Sequence, residues 1–261
     1  MELRSAVFLG PPRLQLDGLR RLFVDKWIRR DFVVLPGNVR TVELGPIQFV
    51  ASEERILGAV NHAYVQAELD WYLSKSLYVA DIPGGPPKIW SDVADKDGKI
   101  NSNYGWMIFS EENGNQYANV LAELKRDPSS RRGVMIYIRP DMHTAFNANG
   151  MRDFVCTTHV QYMVRNGVLM THVSMRSNDA VFGYRNDYHW QKYVSDKLAK
   201  DLGIPRGEIV WTAGSLHFYQ RHFYMIDAYA RDKSLEITPA QYVEKFGQEA
   251  WDELFNELEM N

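Results

Sequence analysis

The chain has 261 residues, 45% of them hydrophobic and 13% aromatic, so one domain spanning residues 1–261 can bury a substantial core. A net charge of −3 and a pI near 6.2 argue against a general nucleic-acid binder, whose footprint is strongly basic. No run approaches the roughly 18 apolar residues of a membrane span, and a single cysteine, Cys156, excludes an intramolecular disulfide framework. The start of the chain carries arginine without the apolar core of a secretory leader. A reducing, cytoplasmic setting is expected. No histidine or cysteine spacing matches a metal-ligand motif, so no metal is expected either.

In chain order, apolar periodicity predicts a helix over 16–29, a strand over 40–50 and a helix over 52–73. A short Pro/Gly-dense surface loop at 81–87 follows, then a helix over 116–126 and a strand over 133–139. Two β-branched and aromatic runs, 154–165 and 168–175, read as strands. The remainder reads as a helix over 188–202, a strand over 209–211, a helix over 216–230 and another starting at Thr238-Pro239. The fold class is α+β.

Asn166-Gly167 readily supplies the positive φ angles of a two-residue type I′ turn, which pairs Arg165 with Val168. Carried back without a bulge, this register sets Cys156 opposite Ser177 and Thr157 opposite Arg176; a bulge shifts each by one residue. The unbulged register places the only thiol beside a hydroxyl and a guanidinium, and in either register the hairpin brings two sequence-distant polar segments to one end of a sheet.

A lone cysteine is more often inert packing than a nucleophile. Cationic neighbours change that balance, because they favour the reactive thiolate. Ser129-Ser130-Arg131-Arg132 and Arg176-Ser177 place guanidinium and hydroxyl donors side by side, a match for the oxygens of a phosphomonoester. Isolated, each pair would read as solvated surface charge. Glu68 shares a helix face with Tyr64, Trp71 and Tyr72. Burial there would raise its pKa and suit a proton-exchanging group, whereas a boundary glutamate would keep its head in water. Tyr104-Gly105, Asn178-Asp179, Asn186-Asp187 and His217-Phe218-Tyr219 are weak singly, and Asp187 also reads as the cap of a helix beginning at Tyr188. These residues alone define an enzyme-like pocket for a phosphorylated ligand.

Taken in order, the segments from about Arg40 to Tyr229 resemble the thymidylate synthase family. Asp127-Pro-Ser-Ser-Arg-Arg132 resembles its phosphate-binding run, Arg176-Ser-Asn-Asp179-Ala-Val-Phe-Gly183 its second arginine run, and Cys156 with Gln161-Tyr162 its nucleophile segment. Glu68-Leu-Asp-Trp71 resembles its catalytic glutamate segment, Trp90 with Asn103-Tyr104-Gly105 its folate-side loop, and Gly214-Ser-Leu-His217-Phe-Tyr219 its ribose site. Two departures are informative. Phe154-Val155-Cys156-Thr157 replaces proline-proline-cysteine-histidine, and Asp187 replaces an asparagine. Both resemble the branch that hydroxymethylates deoxycytidylate. The arginine of the family's N-terminal phosphate loop has no clear counterpart, Arg40 being a candidate.

The resemblance implies a three-layer α+β fold whose large mixed sheet forms a homodimer interface, with a nucleoside monophosphate as substrate and 5,10-methylenetetrahydrofolate as cofactor. It implies Cys156, Glu68, Asp187 and Tyr104 in catalysis, and Arg131, Arg132, Arg176 and Ser177 on phosphate, the first two reaching the partner subunit. It further implies His217 and Tyr219 on the sugar, Asp187, Asn178 and Gln161 on the base, and Trp90, Asp179 and Gly183 on the folate. The expected product is 5-hydroxymethyl-dCMP or its ribose counterpart. Methylation of dUMP, or a non-catalytic nucleotide- or RNA-binding role, are the alternatives; the retained Cys156, Glu68 and Asp187 speak against mere binding. Synthases of this family close a short apolar tail over the folate to exclude water. Here residues 255–261, Phe-Asn-Glu-Leu-Glu-Met-Asn, are too acidic for that.

Overall fold

A computed structural model describes residues 13–256; the arginine-bearing start and nearly all of the acidic tail lie outside the described residues. In chain order the elements are α1 (Leu16–Ile28), β1 (Val33–Leu35), β2 (Val39–Leu44), β3 (Ile47–Val50), α2 (His62–Ser74), α3 (Lys88–Val93), α4 (Tyr104–Phe109) and α5 (Gln116–Arg126). There follow β4 (Val134–Ile136), α6 (Met142–Ala145), β5 (Thr157–Arg165), β6 (Val168–Met175), β7 (Asn178–Asp179), α7 (Phe182–Leu202), β8 (Arg206–Ala213), β9 (Leu216–Tyr219), α8 (Phe223–Asp232), α9 (Pro239–Phe246) and α10 (Gln248–Asn256). The content is mixed α+β. No described helix is long and apolar enough to cross a membrane.

The described chain divides into two compact units. The first holds residues 61–176 and 189–211. Its centre is the β5–β6 hairpin, in which Asn166 (φ 51°) and Gly167 (φ 77°) make the turn and Arg165 pairs with Val168, as the Asn-Gly signal predicts. The register shifts at Thr158, so that Thr157 pairs with Met175 and the backbone N–H of Arg176 donates to the carbonyl of Cys156 (2.9 Å). The bulge therefore sets Cys156 opposite Arg176 and not opposite Ser177. Strand β4 flanks β5, and β8, whose residues up to Trp211 belong to this unit, flanks β6.

Helix α2 starts at His62, ten residues later than the periodicity predicts. Asn61 caps it, its side-chain oxygen accepting from the backbone N–H of Tyr64 (3.1 Å). Glu68, Trp71 and Tyr72 form its buried face, and α4 packs closely against it. A Cβ on Gly105 would stand 1.7 Å from the Tyr72 carbonyl oxygen, so only glycine permits that approach.

The second unit holds residues 13–60, 177–188 and 212–256. It contains a sheet in the order β1-β2-β9-β7, with β2 antiparallel and β7 parallel to β9. Residues 216–219, read as the start of a helix, are instead a strand. The alternate side chains of Leu216 and Phe218 are fully buried, and pairing with β2 satisfies the backbone. Gly45-Pro46 divides the expected 40–50 strand, because proline has no N–H for the ladder. Residues 52–60 do not coil into a helix. The buried Arg20 guanidinium takes the carbonyls of Arg55 (3.1 Å) and Ile56 (2.8 Å), diverting them from the helical pattern.

Helix α7 begins at Phe182, where Asp179 Oδ1 accepts from the backbone N–H groups of Val181 (2.8 Å) and Phe182 (3.3 Å). Asp179 is thus the capping carboxylate. Asp187 lies in the second turn of α7, and the reading of Asp187 as a helix cap is corrected. At α9 the expected Thr238-Pro239 start holds, with Thr238 and Gln241 forming a reciprocal capping box.

Candidate active site

In the first unit, Cys156 sits half-buried at the entrance to β5. Arg176, exposed at the end of β6, folds onto the nucleophile's own backbone: its Nε donates to the Val155 carbonyl (2.8 Å) and its Nη2 to that of Phe154 (2.6 Å). The same Nη2 lies 4.0 Å from Cys156 Sγ. A guanidinium at that range favours the thiolate. It also leans on the Phe154 ring at 5.0 Å, which restrains its swing.

Glu68 is 5% exposed. Its Oε1 accepts from the Tyr64 hydroxyl (2.7 Å) and the Trp90 indole N–H (3.3 Å), and that indole also donates to the Tyr64 oxygen (2.8 Å). Of the two readings left open for Glu68, buried carboxylate or boundary glutamate, burial is the one found; the partnership with Trp90, 22 residues away, was not legible in the sequence. Tyr104 is buried, stacked on Tyr72 at 5.2 Å and edge-on to Tyr137 at 5.1 Å. Asn103 fixes it from below: the Asn103 oxygen caps α4 through Trp106, and its amide donates to the carbonyls of Trp71 (3.1 Å) and Ser76 (2.8 Å).

Arg131 and Arg132 are both exposed in the turn before β4. Arg132 is engaged by Glu123 through Nε (2.8 Å) and Nη2 (2.6 Å). Hydrogen bonding from Ser130 and the charge of Arg132 hold Glu123 below the usual carboxylate range. Gln161, on β5, donates from its side-chain amide to the Arg131 carbonyl (2.9 Å), tying this turn to the nucleophile's strand.

The second unit collects Ser177, Asn178, Asp179, Gly183, Asp187, His217 and Tyr219. Asn178 is buried and its amide donates to Asp187 Oδ2 (2.9 Å). A Cβ on Gly183 would stand 3.2 Å from that amide and 3.3 Å from the Asp179 Cβ, so glycine lets Asn178 and Asp179 lie against the start of α7. Parallel pairing of β7 with β9 sets Asp179 beside His217. Burial pushes the His217 imidazole below its ordinary range, which keeps it neutral and able to hydrogen-bond a hydroxyl. Its ring meets Tyr219 edge-on at 4.9 Å, and Arg221 lies over Tyr219 and pairs with Asp179 Oδ2 (3.3 Å). Arg40, the candidate for the missing phosphate-loop arginine, is buried against the Phe32 and Phe223 rings and donates to the Leu254 carbonyl (3.2 Å).

Sequence reasoning passed over Asp153. Its side chain is 6% exposed, and its carboxylate accepts from the N–H groups of Asn101 and Ser102 and from the Ser102 hydroxyl, each at 2.7 Å. Burial pushes this carboxyl up, against those three donors. The available signal was an acid directly before the apolar Phe154-Val155 pair.

Residues 57–250 match the Thymidylate synthase family. The chain is 52% identical over 224 residues to the deoxycytidylate 5-hydroxymethyltransferase of Enterobacteria phage T4, covering 83% of this chain and 91% of that protein. It is 24% identical over 188 residues to a thymidylate synthase of Francisella tularensis subsp. holarctica, covering 68% and 69%. Its fold matches that of thermostable thymidylate synthase A from Bacillus subtilis with a TM-score of 0.63 at 23% identity, over 85% of this chain and 86% of that one.

Proposed function

Because the chain belongs to the thymidylate synthase family, we propose that it is a deoxycytidylate 5-hydroxymethyltransferase, converting dCMP, 5,10-methylenetetrahydrofolate and water to 5-hydroxymethyl-dCMP and tetrahydrofolate. The observation that carries this choice within the family is Asp187. It is a carboxylate inside α7, oriented by Asn178, where synthases have an asparagine. Cytosine presents an amino donor at C4 and an unprotonated N3, which a carboxylate can meet as acceptor and, when protonated, as donor.

In this reading Cys156, held as thiolate by Arg176, adds to C6 of the pyrimidine and makes C5 nucleophilic. Tyr104 assists removal of the C5 proton, and Glu68, with Tyr64 and Trp90, orders the water and passes its protons. Loss of the Cys156 bond from C6 restores the free thiol. Arg176 and Ser177 hold the phosphate, joined by Arg131 and Arg132 of the partner in a homodimer. His217 and Tyr219 hold the sugar, and Gln161 and Asn178 support the base.

Each unit by itself offers apolar surface to the rings of the folate: in the first, Ile89 beside Trp90 is 63% exposed, and in the second, Phe182, between Asp179 and Gly183, is 44% exposed. Trp90, Asp179 and Gly183 would hold it. When bound, it supplies one carbon at the oxidation level of formaldehyde. The reaction would take place in the cytoplasm, on free nucleotide.

Parallel incubation with dCMP, CMP and dUMP, with mass spectrometry of the product and absorbance of the folate, tests the proposal. A 5-hydroxymethyl product from dCMP without dihydrofolate is expected. A methyl product with dihydrofolate would identify a synthase, and preference for CMP would move the activity to the ribonucleotide.

A further inference from the structure

We propose that Asp153 is a positioning residue for this reaction, its buried carboxylate clasping the segment that leads into Tyr104 to the segment that carries Cys156. The inference rests on the function proposed above and gives a role to a residue that does not itself touch substrate there.

The geometry is a double tether. Asp153 Oδ2 accepts from two successive backbone N–H groups, Asn101 and Ser102, while Oδ1 accepts from the Ser102 hydroxyl. In return, the Asn101 side-chain amide donates to the Asp153 carbonyl (3.1 Å). Ser102 is two residues before Tyr104, and Asp153 is three before Cys156. Between Ser102 and Tyr104 lies Asn103, fully buried and bonded to the carbonyl of Trp71 near the end of α2, the helix that also carries Glu68. One residue ahead of the clasp, the Arg152 N–H donates to the Val93 carbonyl (2.9 Å), fastening the same strand of chain to the end of α3, which carries Trp90.

Thus the segment leading to the nucleophile is held through the Asp153 carboxylate and, one and two residues on, through the Phe154 and Val155 carbonyls that Arg176 takes. A buried carboxylate is a costly way to fill space, and an apolar side chain would pack beside Val155 with less desolvation. What the carboxylate adds is direction. Three short hydrogen bonds fix a distance that packing alone would leave soft, and reacting groups tolerate little error: a displacement of about 1 Å can cost about 100-fold in rate.

The test uses the full-length protein with D153N, D153A and S102A. Asparagine at 153 can keep the clasp, one oxygen accepting both N–H groups and the amide donating to Ser102 Oγ. Alanine cannot. We expect D153A to lower kcat for dCMP by about 100-fold with KM within about threefold, and D153N to restore most of it. S102A should fall in between, and S102A/D153A should be no worse than D153A alone, as expected for groups acting through one contact. A D153A enzyme with unchanged kcat, losing only its urea midpoint, would make Asp153 merely structural and overturn the proposal. If D153A does not fold, S102A decides: reduced kcat at an unchanged urea midpoint supports the clasp, and unchanged kcat overturns it. Wild type assayed alongside separates the two readings. Inactivity of the wild type on dCMP sinks the proposed function, whereas an active wild type with insensitive variants sinks only this inference.

Discussion

Arg176 stands directly opposite Cys156 at the bulged end of the hairpin, with its Nη2 4.0 Å from the sulfur and its guanidinium donating to the carbonyls of Phe154 and Val155. A full charge at that distance is worth about 4 kcal/mol at an effective dielectric of about 20. Exposure of Arg176 to solvent reduces this to about 1 kcal/mol.

Arg176→Ala should therefore slow alkylation of Cys156 by iodoacetamide about five- to tenfold at neutral pH, through a smaller thiolate fraction. Cys156→Ala should abolish turnover while calorimetry shows dCMP binding within a few-fold of wild type. Tritium release from C5-labelled dCMP by Cys156→Ala would remove the thiol from the mechanism.

Asp187→Asn tests base selection. Asp187 is interior to α7 and does not cap it, so a specificity change cannot be traced to a lost helix start. Leaving a buried acceptor unmatched costs about 1 to 3 kcal/mol, so kcat/KM for dCMP relative to dUMP should fall roughly 5- to 150-fold. An unchanged ratio in steady-state kinetics would take Asp187 out of base recognition.

Gly105→Ala tests the packing beneath Tyr104. The new Cβ would overlap the Tyr72 carbonyl oxygen, and backbone on both sides must move apart. A loss of about 3 kcal/mol in urea unfolding is expected, with kcat reduced because Tyr104 is the adjacent residue.

His222 predicts an acid-sensitive stability. Burial, with Arg221 and Arg185 nearby, lowers its pKa from 6.5 to about 3. Below pH 6.5 the unfolded chain takes up a proton that the folded chain refuses, so this contribution is complete above pH 6.5 and is lost as pH falls towards about 3. Each pH unit in that window costs up to about 1.4 kcal/mol, or about 2 kcal/mol at pH 5. His222→Phe should flatten this part of the difference between urea midpoints at pH 7 and pH 5. An identical pH dependence in variant and wild type would show that His222 titrates normally.

What the sequence determined by itself was local chemistry with a single solution. Asn166-Gly167 set the hairpin and brought Cys156 within one residue of its observed partner, and Thr238-Pro239 set the start of α9. Tertiary structure decided wherever a distant group competed for the backbone. Arg20 drew the carbonyls of Arg55 and Ile56 out of an expected helix, and β2 turned residues 216–219 from helix to strand. Asp179 took the cap that had been read at Asp187, leaving Asp187 to meet Asn178, and tertiary contacts set Arg40 against two phenylalanines and the Leu254 carbonyl. The clasp of Asp153 on Ser102 joins residues 51 positions apart. No periodicity reports such a contact, because it arises from the folding of one loop against another and not from the spacing of either.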